Sequence, residues 1–304
     1  MKLYVGKQQI HHTDLTWSGS KYNAARSLEF SVPSNLPYQV SQGQAVSLVD
    51  GKTTLFSGYL FKKELSYSSK AISFLAYDPM VYILKSSGSY NFTKTTLGAV
   101  VRKVAADLGI PVGSIVDSGI GITLEAEISI NCYQMLLSAC KEAKKSTKRI
   151  YLPVIQSGKL SIIAAGQEVS NFRLANKENI TDSTYSETIE NVINKVLIVD
   201  DKGNRIGQVT GEGLNTWGIF QDVYEKQEDK NATTEAKKLL HGMDREASLE
   251  CLGDVRCISG RAVRIRDPYT GLSGLFYIDE DTHTWSNGNH TMSLTLNFKN
   301  EMEE

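Results

Sequence analysis

Hydrophobic and polar positions alternate through the first 86 residues, a pattern that is typical of β-strands. One such run ends at the pair Asp50-Gly51, and strand-like positions resume at residues 55–60. An Asp-Gly pair between two runs of this kind is a strong hairpin signal. Asp78-Pro79 then begins a short helix, because proline is well tolerated in a first helical turn. These residues predict a β-rich segment that closes with a short helix.

The middle of the chain changes to a helical period. Six apolar residues recur at the spacing of one helix face. They are Leu97, Val100, Val101, Val104, Ala105 and Leu108. Thr95 or Thr96 is the expected N-cap, and Gly109 is expected to end the helix. A second helix is predicted over residues 129–147, and a hairpin is predicted to follow it.

Strand patterns return in the last third of the chain. Residues 192–199 and 205–210 are predicted to pair, and further strands follow from Arg261. One helix interrupts them over about residues 232–246. The order is therefore a β-rich part, a small α/β part and a second β-rich part, with residues 85–89 as a linker after the first. This pattern indicates a mainly β fold with a smaller α/β region.

Composition and charge fit a folded protein of ordinary type. The chain has 304 residues, 22% of them charged, and a net charge of −1, which argues against a dedicated nucleic-acid binder. Residues 1–152 carry 17 Lys/Arg and 10 Asp/Glu, whereas residues 153–304 carry 16 and 24. Opposite charges in the two halves suit head-to-tail contact between copies or a polar pore; chance, with solvated surfaces, is the alternative.

Neither a membrane span nor a signal peptide is predicted. The apolar runs are shorter than the roughly 20 residues that a bilayer needs. The first residues are too polar for a signal peptide. The chain is therefore expected to be made and kept in a cytoplasm.

The four cysteines predict neither a disulfide framework nor a zinc site. Cys132 and Cys140 are eight residues apart on the second predicted helix, so their Cα atoms lie about 12 Å apart. Cys251 and Cys257 could meet only across a tight hairpin. The Cys-x-x-Cys spacing of zinc sites does not occur, so the cysteines are expected to be buried, small apolar residues.

Motifs for catalysis or cofactor binding are missing from the sequence. It has no Gly-x-Ser-x-Gly, P-loop or His-Glu-x-x-His pattern. His283 and His290 could approach each other across a strand–loop–strand and hold a metal. A third ligand has no obvious candidate, so a polar pair is the favoured interpretation. We therefore expect a protein without catalytic residues, metal or cofactor.

Several stretches, in order along nearly the whole chain, resemble one family. They are residues 14–19 (Asp-Leu-Thr-Trp-Ser-Gly), 26–30, 43–49, 55–59, 76–79, 84–86, 194–196, 217–221, 274–278, 281–285 and 288–296. The set resembles the XkdQ/YqbQ-like phage tail hub proteins. Two positions depart from the family pattern: Gln44 stands where an acidic residue is expected, and Trp217 where tyrosine is common.

This resemblance implies a structural baseplate hub of a contractile tail, in a phage, a prophage or a phage-tail-like bacteriocin. Such hubs are homotrimeric rings, and each chain supplies two tube-like β-barrel domains that adapt the hexameric tail tube to the trimeric spike. The resemblance assigns residues 1–86 to the first barrel, residues 87–175 to the α/β region and residues 176–304 to the second barrel.

The resemblance also implies the partners and the location of the protein. Its partners would be further copies, the tail tube protein, spike and other baseplate proteins, and the tape measure protein. DNA would only pass through, no membrane would be bound, and the particle would assemble in the host cytoplasm. The predicted interface consists of Trp17, Tyr59, Trp217, Phe220 and Trp285.

Two other functions stay open from the sequence. The first is a cell-wall carbohydrate-binding or adhesion module, for which Trp17, Trp217 and Trp285 would have to be exposed. The second is a peptidoglycan hydrolase, which would need a pair of placed carboxylates.

Overall fold

The computed structural model describes residues 1–22, 25–35, 38–68 and 70–301. The first part of the chain forms seven strands and one short helix, as the alternation predicts. They are β1 (Lys2–Val5), β2 (Gln8–Ile10), β3 (Asp14–Ser20), β4 (Ser27–Pro33), β5 (Ala45–Asp50), β6 (Thr53–Ser66), β7 (Ala71–Tyr77) and α1 (Met80–Lys85). The first half of β6 pairs with β5 and its second half pairs with β7. A register shift between Leu60 and Lys62 lies where β6 changes partner.

The strands on both sides of this shift share one apolar core. It includes residues of β1, β4, β5 and β7, among them Leu3, Leu28, Leu48 and Phe74. Phe30 and Phe74 lie opposite each other on β4 and β7, and their rings stack with centroids 5.0 Å apart. The alternating sequence therefore buries one side of each strand against a common core.

The α/β region follows directly. Its elements are β8 (Ser87–Thr95), α2 (Leu97–Asp107), β9 (Val112–Ile115), β10 (Ile122–Asn131), α3 (Cys132–Thr147), β11 (Tyr151–Gln156) and β12 (Lys159–Ala164). Strands β8 and β10 form a two-stranded ribbon, and β9, β11 and β12 form a three-stranded sheet. The predicted face of α2 is buried, and the Thr96 side chain accepts a hydrogen bond from the Ala99 N–H.

The rest of the chain is again mostly strand. Its elements are β13 (Gln167–Ala175), β14 (Ile180–Thr188), β15 (Lys195–Val199), β16 (Arg205–Thr210), β17 (Gln221–Glu225), α4 (Ala232–Lys238), β18 (Asp244–Leu252), β19 (Arg261–Asp267), β20 (Leu272–Ser286) and β21 (Asn289–Asn297). The predicted mainly β fold with a smaller α/β part is confirmed.

One sheet joins the two ends of the chain. Its order is β14-β18-β21-β20-β3-β4-β7-β6-β5-β1-β2, and β19 branches from β20 and carries β13. Strand β3 pairs antiparallel with β20, so that Trp17 lies opposite His283. The strands of the first and last thirds therefore belong to one continuous sheet.

The chain divides into two compact units. Unit 1 consists of Met1–Ser183 with Ser248–Glu304, and unit 2 of Thr184–Ala247. In unit 2 a three-stranded sheet of order β16-β15-β17 packs with α4 around Val196, Ile198, Val209 and Ala236. The three-part division at residues 86 and 175 stays a prediction.

Three local predictions were wrong. Residues 85–89 are not a linker, because β8 begins at Ser87, opposite Asn131 of β10. The second helix begins at Cys132, since Asn131 accepts hydrogen bonds from the N–H groups of Tyr133 and Gln134 as its N-cap. Helix α4 ends at Lys238, and β18 already begins at Asp244. Among the described residues, no helix is long and apolar enough to cross a membrane.

Candidate functional site

Serine and threonine cover one side of the neighbouring strands β21, β20, β3 and β4. Residues that lie opposite one another on paired strands form rows on the same side of a sheet. One row consists of Ser293, Thr282, Ser18 and Ser27, and the next of Thr291, Thr284, Thr16 and Glu29. We call this surface the hydroxyl face. It comprises Thr16, Ser18, Ser20, Ser27, Ser31, Thr282, Thr284, Thr291, Ser293 and Thr295.

The hydroxyl face is polar but carries few charges. The hydroxyls of Ser18 and Thr282 lie 3.2 Å apart across the β3–β20 pair. Its rows include three carboxylates, Glu29, Glu64 and Glu280, and Lys62, which forms an ion pair with Glu64. Asp14 lies on the same side of β3, one row beyond Thr16. Along the part of these rows that the structure describes there is no arginine. Such a surface is hydrated but has little affinity for phosphate, because phosphate binding depends on lysine and arginine.

A buried ion pair lies beneath this face. Asp281 is fully buried, and Arg26 Nη1 donates a hydrogen bond to its Oδ1 at 3.0 Å while Nη2 contacts Oδ2. The backbone N–H of Ser259 donates to the same carboxylate at 2.6 Å. The position opposite Asp281 on β3 is Gly19, where a Cβ atom would lie 2.3 Å from Arg26 Nη1. Glycine therefore leaves room for the guanidinium.

His283 and His290 form a hydrogen-bonded pair in the same core. His283 Nε2 lies 3.1 Å from the carbonyl oxygen of Cys257, and its Nδ1 lies 3.1 Å from His290 Nε2. Because a carbonyl only accepts, Nε2 of His283 carries the proton and His290 donates to Nδ1. Burial lowers the pKa of His283 to about 4. No group of three or more metal-ligating side chains occurs in the described ranges.

A small polar cavity lies next to this cluster, within unit 1. It encloses about 90 Å³ and is lined by Lys21, Arg26, Asp78 and Ser259, among other residues. Asp78 is buried, and its Oδ1 accepts a hydrogen bond from the N–H of Met80 at the start of α1. Burial raises the pKa of Asp78 to about 7, against the opposing effect of its hydrogen bonds and of Arg26. A polar cavity of this size has room for ordered water.

Four aromatic residues form a surface cluster beside the hydroxyl face. We call it the aromatic patch; it consists of Tyr59, Phe61, Tyr77 and Tyr82. Tyr59 and Tyr82 are 38% and 39% exposed, with ring centroids 6.0 Å apart. Tyr77 lies opposite both Ser27 and Tyr59, so the patch continues one row of the hydroxyl face. Exposed tyrosines of this kind are common in protein–protein interfaces.

The five predicted interface residues differ in how far they are exposed in the structure. Tyr59 is exposed in the aromatic patch, whereas Trp17 is only 3% exposed and belongs to the core. Trp285 is partly buried and stacks on His290 with ring centroids 4.2 Å apart. Trp217 and Phe220 are partly buried in unit 2, where a Cβ on Gly213 would lie 2.0 Å from the Trp217 ring. Trp17 is therefore corrected to a core residue, and the exposed three-tryptophan platform is not formed.

Sequence reasoning missed the hydroxyl face, although a signal was present. In β3 and β20 the alternate residues are hydroxyl-bearing, as in Leu15-Thr16-Trp17-Ser18 and Asp281-Thr282-His283-Thr284. The same alternation occurs in β21 from Thr291 to Leu296. A strand with a uniformly neutral polar side differs from the usual solvent-exposed strand, which carries mixed charges.

The chain is similar to proteins of phage tails. The profile of the family described as YQBQ-like matches residues 15–297. The phage-like element PBSX protein XkdQ of Bacillus subtilis (strain 168) is 27% identical over 302 residues, which cover 94% of this chain and 92% of XkdQ.

Two solved structures have a similar fold. The 43 kDa tail protein of prophage MuSo2 from Shewanella oneidensis has a TM-score of 0.72 and 16% identity, covering 97% of each chain. The tail protein from Neisseria meningitidis MC58 has a TM-score of 0.70 and 14% identity, covering 97% of this chain and 95% of that one.

Proposed function

Since this chain belongs to the YQBQ-like family, we propose that it is the structural baseplate hub of a contractile phage tail or phage-tail-like particle. It is a phage tail or baseplate structural protein, and its role is mechanical rather than catalytic. Three copies would form a ring that adapts the hexameric tail tube to the trimeric spike and leaves a central channel.

The continuous sheet is the observation that carries this proposal. Strand β3 of the first third and β20 of the last third pair over seven residue pairs, from Glu280–Ser20 to Ser286–Asp14. One chain can therefore supply a segment of the ring wall that is wider than its first or last third alone. If each third forms one unit of the wall, three chains would present six units to a hexameric tube.

The hydroxyl face is our candidate for the channel lining. A passing polyanion is slowed by clustered Lys and Arg, which exchange for its counterions. The rows of this face hold hydroxyls, the carboxylates of Glu29, Glu64 and Glu280, and Lys62, which is paired with Glu64. DNA or an extended protein would therefore pass it without being held.

Ring closure requires that one surface meets a different surface of the next copy. The aromatic patch, which includes Tyr59, is a candidate for one of these surfaces. The opposite charges of the two halves of the sequence support head-to-tail contact.

In the assembled particle the other partners would be the tail tube protein, the spike and other baseplate proteins, and the tape measure protein. The protein would lie in the virion tail baseplate, after assembly in the host cytoplasm.

Co-expression with the tail tube and spike proteins tests the hub. Light scattering should give three copies of this chain per complex, and electron microscopy should show a three-fold ring with an open centre. A chain that stays monomeric, and binds neither tube nor spike, would exclude a hub.

The channel lining has a separate test in that complex. Ser18→Arg with Ser293→Arg should make the ring retain duplex DNA at low salt. The matched control, Thr93→Arg with Ser273→Arg, adds the same charge at exposed hydroxyl residues outside the hydroxyl face and should not. Equal retention by both variants would show that the hydroxyl face does not line the passage.

A further inference from the structure

A cluster of cations covers the C-terminal end of α3, in unit 1. We call it the basic patch; it consists of Lys141, Lys144, Lys145, Lys148 and Arg149. Lys145 forms an ion pair with Glu142, the one acidic residue of the segment 141–149. The other four cations form no ion pair with a residue that the structure describes. Five cations and one carboxylate leave a net charge of +4 here, in a chain whose net charge is −1.

The basic patch is unfavourable for the chain on its own. The helix dipole stabilises cations near a helix C-terminus, but its effect fades beyond the last turn. Lys144 and Lys145 lie in the last turn of α3, whereas Lys141 lies one turn earlier. Like charges three and four residues apart repel each other on a helix. Burial lowers the pKa of Lys21, and Lys144 lowers it further, against the opposing effect of Asp279. Carboxylates bound at the patch would relieve this repulsion.

Unit 2 has the opposite charge. Its residues 184–247 include 12 Asp/Glu and 8 Lys/Arg. Within it we call one group the acidic strip; it consists of Glu187, Glu190, Asp244 and Glu246. Arg245 Nε donates a hydrogen bond to Glu187 Oε1 at 3.2 Å, and Asn191 Nδ2 donates one to Asp244 Oδ2 at 2.9 Å. These two bonds hold the two segments of the strip side by side.

The unpaired charge of the acidic strip is on two glutamates. Asp244 also contacts His241 at 2.6 Å, and Glu187 is paired with Arg245. Glu190 and Glu246 are exposed and form no ion pair with a described residue. Carboxylates of this kind are what the basic patch lacks.

A protein partner fits the basic patch better than a nucleic acid does. A binder of duplex DNA has an excess of positive charge over the whole domain, whereas this chain has 33 Lys/Arg and 34 Asp/Glu. Both complementary surfaces occur on the same chain. A contact between them in two copies would be head-to-tail, which is the kind of contact that can close a ring.

We propose that the basic patch of one copy binds the acidic strip in unit 2 of a second copy. The proposal rests on the ring of the proposed function and names a charged contact between neighbouring copies in it. Complementary charges at such a contact speed up association and fix the register of the partners. Because the groups are exposed, added salt screens the contact.

Charge reversal in the complex co-expressed with the tail tube and spike proteins tests the contact. Lys141→Glu with Arg149→Glu should weaken the association between copies about ten-fold at about 50 mM NaCl, because carboxylates then face carboxylates. Glu190→Lys with Glu246→Lys should weaken it to a similar extent. The four substitutions together exchange the two charges and should restore association to within about two-fold of the wild type. Mass photometry of a dilution series counts the copies in each complex.

The matched control is Lys7→Glu with Lys52→Glu. It makes the same change of charge at two exposed lysines, in the β1–β2 and β5–β6 turns, and should not weaken the association. Circular dichroism verifies that each variant folds.

Three results would overturn the contact. In the first, the wild-type complex holds three copies and the α3 variant holds them equally well; the hub would still stand. In the second, the fourfold variant does not regain association. In the third, the α3 variant loses binding to duplex DNA while its copies stay associated, which would assign the basic patch to a nucleic acid. A wild-type complex that never holds more than one copy would exclude the ring and this contact together.

Discussion

The guanidinium of Arg26 lies over the indole ring of Trp17, with 4.2 Å from Cζ to the ring centroid. The same guanidinium is paired with the fully buried Asp281 on β20. Trp17 is on β3, so one cation connects the strand from the beginning of the chain to a strand near its end. Several predictions about stability depend on these contacts of Arg26 and on other buried groups near it.

Replacing Arg26 should destabilise the fold strongly. Arg26→Ala leaves the Asp281 carboxylate buried without its cation, which costs about 3–5 kcal/mol in comparable buried pairs. Urea unfolding at neutral pH measures the loss. The control is Arg264→Ala, because Arg264 pairs with Glu168 at side-chain exposures of 61% and 37%. That exposed pair should contribute at most about 1 kcal/mol; equal losses in the two variants would refute the role assigned to Arg26.

Asp78 should make the fold less stable as the pH rises. Its folded pKa, about 7, is above the ordinary value of 3.8, so the folded state holds the proton more tightly than the unfolded state. The stabilisation is present at low pH and is lost as the pH rises through 7. Between pH 5 and pH 8 the wild-type protein should lose about 2–3 kcal/mol from this group. Asp78→Asn should remove that loss in paired urea titrations, and an unchanged pH dependence would contradict the prediction.

His283 should act in the opposite direction. Its folded pKa, about 4, is below the ordinary 6.5, so stability from this group is full above pH 6.5 and is lost as the pH falls toward 4. The imidazole C–H resonances of His283, followed by NMR in the folded protein, should move with a midpoint well below that of a free histidine. A midpoint near 6.5 would show that His283 is not held neutral by burial.

Gly253 should not tolerate a side chain. A Cβ there would lie 2.2 Å from the His290 ring, on which Trp285 stacks. Gly253→Ala should therefore cost about 1–3 kcal/mol by overpacking and should change the tryptophan fluorescence. Gly121→Ala is the matched control, because the nearest atom to its Cβ is 3.8 Å away. If both variants melt at the same temperature, the close packing around His290 is not as described.

Elements that depend on nearby residues could be predicted from the sequence. The apolar spacing and Thr96 cap of α2 are contained in twelve consecutive residues, and the structure has the helix at Leu97–Asp107. The β5–β6 and β11–β12 hairpins likewise follow from their own turn residues. The helix predicted over residues 232–246 was too long for the same reason. Leu239, Leu240 and Met243 continue the helical spacing, but α4 ends at Lys238 and the chain goes on to form β18.

Pairings between distant residues could not be predicted. Ser87 forms a strand only because Asn131 lies opposite it on β10. The β3–β20 pair joins residues more than 260 positions apart, such as Trp17 and His283. The hydroxyl face depends on these registers, because its serines and threonines come from four different strands. The sequence alone does not show that they lie side by side. The polar His283–His290 pair was the favoured interpretation from the sequence, but its stacking on Trp285 needs the hairpin register.

The pairing of β3 with β20 also affects how the protein is made. A ribosome releases β3 long before it synthesises β20, so the N-terminal strand waits with one edge unpaired. Prematurely terminated products would keep this edge exposed. Incomplete chains would thus be prone to pair edge to edge with other chains.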